Sequence, residues 1–92
     1  MKHPTSVENM TAEELAEKFM NTTYGYHLAF FKKMAELYRQ ESIKDQERGY
    51  LKLYGLLYDL ANVIVFACSI LERIWKICEP YNNKKTEIKE EE

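Results

Sequence analysis

Residues 57–78 read LYDLANVIVFACSILERIWKIC, a stretch that is apolar nearly all the way round when wound as a helix yet carries Asp59, Glu72, Arg73 and Lys76. What such a helix packs against decides the fold. Its pattern starts upstream: Tyr50, Leu53, Leu57, Leu60, Ile64, Ala67, Leu71, Ile74 and Cys78 alternate steps of three and four, a heptad seam that runs until Pro80 stops it. Both flanks of that seam are apolar as well. Leu56, Val63, Ile70 and Ile77 line one side; Tyr54, Ala61, Cys68 and Trp75 line the other; Gly55, Asp59, Asn62, Ser69, Arg73 and Lys76 form a narrow wet face. The apolar arc spans about 220°, against roughly 100° for an ordinary surface helix, so one neighbour does not cover it.

The rest of the chain supplies one neighbour. Thr11-Ala-Glu-Glu14 is a capping box, in which hydroxyl and carboxylate satisfy orphan amides at a helix start. Asn21-Thr-Thr-Tyr-Gly-Tyr26 is poor in helix formers and predicts a kink or short break at 21–23. From Tyr24 to Glu41, the residues Tyr24, His27, Leu28, Phe31, Met34, Ala35 and Tyr38 share one face, opposite Lys32, Lys33, Glu36, Arg39 and Gln40. Ser42-Ile-Lys-Asp45 is a second capping signal, which predicts a short turn there. The expected helices are therefore about 11–20, 24–41 and 43–79, the last about 55 Å long. A hairpin folded about Ser42 places His27 and Phe31 near residues 54–59, and Leu15 and Phe19 near residues 67–71, with the large Phe19 over small Ala67 and Cys68. One flank of the long helix stays bare.

Composition agrees with an all-α chain: of 92 residues 46% are hydrophobic, 30% charged and 13% aromatic, and only three are glycine and two proline. So short a chain buries a modest core unless it pairs. A net charge of −2 steers it neither toward nucleic acid nor toward imitating one. Residues 1–10 are expected to be flexible and 80–92, with almost nothing apolar, disordered. MKHPTSVENMTAEEL has no apolar secretory region, so the expected location is the cytoplasm, where the sequons at Asn9 and Asn21 would be coincidental. A bilayer span needs about 20 mainly apolar residues, and the longest charge-free run, residues 60–71, is shorter; no membrane is expected. Cys68 and Cys78, about 15 Å apart on one helix, read as reduced core thiols.

Candidate chemistry is sparse. His27 falls opposite Tyr58, Asp59 and Asn62 in the Ser42 hairpin, where a His–Asp pair suits a general base. No nucleophile stands beside it, so the three form a buried polar cluster of His27, Tyr58 and Asp59. Glu14-Leu-Ala-Glu17 with Asp59-Leu-Ala-Asn62 resembles the two acidic motifs of the all-α nucleoside-triphosphate pyrophosphohydrolases, whose helical carboxylates hold Mg²⁺. The likeness covers only those short stretches, Asn62 stands where that family has an acid, and a hard cation prefers carboxylates. Lys44, Arg48 and Lys52 recur every fourth residue and suit phosphate contacts, but Glu41, Asp45 and Glu47 are interleaved with them, as on a solvated face.

The sequence thus reads as a helical hairpin with a kinked N-terminal arm over residues 11–79, dimerising into a helical bundle through Leu56, Val63, Ile70 and Ile77. Phe66 points out of the polar face, and with Asn62, Ser69 and Arg73 it makes a candidate site for a protein partner. The function expected is that of a non-enzymatic interaction module without cofactor or metal, an adaptor or inhibitor of the size mobile elements encode. A degenerate pyrophosphohydrolase is the alternative and a weak nucleic-acid binder the third reading.

Overall fold

The computed structural model describes residues 3–81, and there the chain is all-helical: α1 (Ala12–Met20), α2 (Tyr24–Glu47) and α3 (Leu51–Cys78), closed by a single 3₁₀ turn, Glu79–Tyr81. The expectation of disorder over 80–92 falls almost wholly outside the described residues. Residues 1–10 include a closed turn, in which the Met10 amide donates to the Val7 carbonyl at 2.9 Å, with Glu8 and Asn9 at φ 50° and 63° between them. Asn is among the few side chains that tolerate the left-handed region.

The capping box forms as the sequence predicts. Thr11 N–H donates to Glu14 Oε1 at 2.9 Å and Glu14 N–H donates to Thr11 Oγ1 at 3.1 Å. Asn21–Thr23 separate α1 from α2; Thr23 Oγ1 accepts from the Tyr26 amide and starts the second helix, while the Thr22 hydroxyl donates to the Phe19 carbonyl at the end of the first.

The turn is not at Ser42. α2 runs through it for another five residues, and Ser42 is wholly buried with its hydroxyl donating to the Arg39 carbonyl at 2.7 Å, one turn back in the same helix. The hydroxyl that signals a cap is here consumed by its own helix. The helix ends at Gly49, whose φ of 87° a side chain would resist. The Gly49 amide donates to the Gln46 carbonyl and the Tyr50 amide to the Asp45 carbonyl, the paired bonds of a Schellman motif. Asp45, also buried, accepts from Arg48 Nη1 at 2.9 Å.

Moving the turn changes the register of the whole hairpin. Arg39 Nη2 reaches Asn62 Oδ1 at 2.9 Å, Lys32 pairs with Glu72 at 3.6 Å, and Gly25 lies where a Cβ would come within 2.8 Å of the Trp75 ring. The inward face of α2 holds Tyr24, His27, Leu28, Phe31, Met34, Ala35 and Tyr38 as expected, and extends to Ser42 and Asp45. On α3 Tyr54, Leu57, Ala61, Ile64, Cys68, Leu71, Trp75 and Cys78 form an unbroken row of buried and half-buried positions, with Gly55, Ala67 and Ile74 half-buried beside it. The inward seam is therefore turned by about 50° from the one the heptad reading predicts, toward the Tyr54/Ala61/Cys68/Trp75 flank. Small Ala61, Cys68 and, across from them, Ala35 let the two backbones approach.

α1 does not reach α3's middle. Phe19 packs on the start of α2 instead of over Ala67 and Cys68: its ring lies 4.4 Å from His27, 4.8 Å from Phe30, 5.7 Å from Tyr26 and 6.2 Å from Phe31. The molecule is consequently flat, 14 Å through its thinnest axis against 50 and 32 Å along the others. A single layer of helices leaves one face of each of them without a neighbour.

Candidate interaction surface

The face left over on α3 is apolar and continuous. Leu53, Leu56, Leu60, Val63, Ile70 and Ile77 follow one another at heptad spacing, with half-buried Ala67 and Ile74 completing the row. Leu56 and Val63 are each 62% exposed, Ile77 50% and Ile70 42%. These four are the flank that the sequence leaves bare, and with Leu53 and Leu60 the row extends over about 36 Å. Scattered exposed leucines are ordinary on a protein surface, whereas a contiguous apolar row has the makeup that interaction sites share.

Phe66 is 68% exposed, more than any other large apolar side chain among those described. The polar residues around it are largely occupied: Asn62 accepts from Arg39, and the Ser69 hydroxyl donates to the Phe66 carbonyl at 2.6 Å. What surrounds the ring on the row side is Val63 and Ile70, one helical turn before and after it. The surface anticipated as a separate partner site and the bare flank are thus one face, with Phe66 at its edge beside Arg73.

The expected cluster of His27 with Tyr58 and Asp59 does not assemble. His27 is buried, but its Nε2 lies 2.9 Å from the Phe19 carbonyl oxygen, its ring stacks on Phe19 and the Tyr24 ring meets it edge-on. Tyr58 lies under the Arg39 guanidinium, 5.8 Å from the ring centroid, and Asp59 is exposed on the outside of α3. The turn at 48–50 in place of 42 carries both of them toward the far end of α2.

Nor do the acidic stretches converge. Glu14 is engaged in the cap of α1, Glu17 is exposed beside it, and Asn62 lies next to Arg39, about 18 Å along α2 from the His27 end to which α1 attaches. Among the described residues no group of three or more His, Cys, Asp or Glu side chains is placed to hold a metal. In the basic row, Lys44 pairs with Glu41 at 3.5 Å and Arg48 with Asp45 at 2.9 Å. Cys68 and Cys78 are both free and buried. Burial pushes the Cys68 thiol up from its ordinary value, nearby Lys32 opposing the rise and Glu72 adding to it, so the sulfur stays a protonated, poorly nucleophilic thiol at neutral pH.

Two features lie beyond the sequence reading. One is an apolar cleft of about 440 Å³ between α1 and the start of α2, lined by Val7, Leu15, Phe19, Tyr26, Phe30 and Phe31 among others. The crowding of aromatics over residues 19–31 is its signal in the sequence. The other is that α3 is long and apolar enough, by length and composition, to cross a membrane: its best 18-residue window has a mean hydropathy of 1.7 and is only 11% buried. A charge-free run is a stricter demand than spanning makes, because a window of that length tolerates a charge or two. No protein family, curated protein or solved structure matches the chain.

Proposed function

We propose that the protein is a non-enzymatic interaction module, a small helical adaptor or inhibitor whose contact surface is the outer face of α3 and whose first use of that surface is to bind itself. The observation that carries this reading is the heptad row Leu53, Leu56, Leu60, Val63, Ile70 and Ile77, exposed over about 36 Å of one helix. Large branched residues at that spacing are what a second helix interlocks with.

A location in the cytoplasm, without a membrane, is favoured by what lies alongside α3. Lys32 and Arg39 of α2 hold Glu72 and Asn62 on α3, with Lys33 and Glu36 between them on α2. A bilayer around α3 would draw these charges into hydrocarbon, where each costs several kcal/mol, on the order of 3 by the mildest scales.

Light scattering at micromolar concentration tests the proposal. The native chain should give a dimeric mass, and V63E/I70E should give a monomer that keeps its helical circular dichroism, because burying unpaired carboxylates is costly while exposing them is not. A monomeric native chain would overturn the reading, as would Mg²⁺-dependent turnover of nucleoside triphosphates.

A further inference from the structure

We infer that two copies join through α3 in antiparallel fashion about a two-fold axis at Phe66, so that Asp59 of each chain faces Arg73 of the other. The inference rests on the outer face of α3 being the contact surface, and it adds which way round the partner lies. Beside the apolar row runs a second row at heptad spacing: Lys52, Asp59, Phe66 and Arg73. All four are exposed, and among the described residues neither Asp59 nor Arg73 makes an ion pair within its own chain. Asp59 and Arg73 stand one heptad to either side of Phe66. An antiparallel two-fold axis through that residue sets ring against ring and each carboxylate against the opposite guanidinium, at both ends at once.

The parallel arrangement fails on both charge and access. In parallel helix pairs the row beside one edge of the apolar seam meets the row beside the other edge in the partner, whereas in antiparallel pairs each row meets its own copy. The row on the other edge of α3 is Leu57, Ile64, Leu71 and Cys78, which α2 already covers. A parallel partner would therefore press Asp59 and Arg73 onto α2. The antiparallel partner puts both α2 helices on one side of the joint and both Phe66 rows on the other, where the charges match and stay hydrated.

Sedimentation equilibrium on charge variants, with electron spin resonance distances, tests this. D59R and R73D should each weaken dimerisation by about tenfold, since either change sets like charges opposite at both ends, and D59R/R73D should return it to within about threefold of the native value. Spin labels on K52C should lie about 42 Å apart, while labels on S69C should lie within about 20 Å. The buried native cysteines leave the introduced thiol as the one that reacts. A native-like dimer with K52C labels as close as S69C labels, or without rescue in the double swap, overturns the antiparallel joint and leaves the contact surface standing. A chain that is monomeric, or that is monomeric and binds lipid vesicles, overturns both.

Discussion

The two apolar rows of α3 have the same period, yet the row richer in strongly apolar side chains is bare and the other is packed. The packed row, Tyr54 to Cys78, alternates large residues with Ala61, Cys68 and Cys78; the bare row, Leu53 to Ile77, is almost entirely Leu, Val and Ile. Small residues mark a neighbour whose backbone comes close and whose position is fixed, as α2's is by the short turn at Gly49. Large branched residues mark a neighbour held at the distance of interlocking side chains. The interspersing of small residues, not greater hydrophobicity, separates the face that folds the chain from the face left bare.

Enlarging one residue of each row to leucine should sharpen that contrast most. Ala61, with no exposed surface, has no room for three more carbons against α2, so A61L should cost about 2–3 kcal/mol and lower Tm by about 10 °C or more. Val63→Leu adds one carbon on the outer row and should stay within about 0.5 kcal/mol of native. Thermal melts followed by circular dichroism check the pair; a tolerated Ala61→Leu would mean that α2 and α3 pack less closely there than the geometry has them.

The same contrast between near and far neighbours governs what the sequence discloses. The start of α1, the break at 21–23, the inward face of α2 and the stop near Pro80 are legible because each rests on a local signal: a capping box, a run of poor helix formers, a three-four period, a proline. The hairpin register is not local. It hangs on one turn, and Ser42-Ile-Lys-Asp45 offers cap chemistry that the folded chain uses inside a helix, where both polar residues are buried on the inward face. Hydrophobic periodicity therefore lapses at Ser42 while the helix continues. Gly49 is the readable alternative, a glycine following an amphipathic helix, and its positive φ is the reason it ends α2. Taking Ser42 as the turn is what sends His27 to Tyr58 and Asp59.

His27 provides the next prediction, smaller than the first. Its ring joins α1 to α2 through the Phe19 carbonyl and the Phe19 ring, so His27→Ala removes one partner from a carbonyl that Thr22 still holds, empties a buried site and breaks an aromatic stack. The expected cost is about 2 kcal/mol, and His27→Gln, which keeps an N–H within reach of the carbonyl, should recover part of it. Neither change touches the outer row, so the dimeric mass should persist in both. A stable His27→Ala that no longer dimerises would make His27 part of the contact surface.

Thr11→Ala should follow at about 1 kcal/mol, the usual worth of a cap, with the loss confined to α1. Hydrogen exchange is the suitable measurement, because faster exchange limited to residues 12–20 separates fraying of α1 from weakening of the hairpin. Acceleration that spread into α3 would show that α1 and the hairpin unfold together.

The smallest effect on the folded chain and the most informative about the bare face is expected of Phe66→Ala. The ring is two-thirds exposed, so at concentrations too dilute for dimers Tm should move by no more than about 2 °C. At higher concentration the same substitution should weaken self-association about tenfold or more, since burying a Phe ring contributes roughly 1.5–3 kcal/mol. The two readings separate cleanly because a ring that packs within its own chain loses stability at every concentration, whereas a ring that packs on a second copy loses it only where copies meet. A large drop in Tm at high dilution would therefore put Phe66 in the core of the single chain, turn α3 about its axis, and assign the bare face to residues other than those named here.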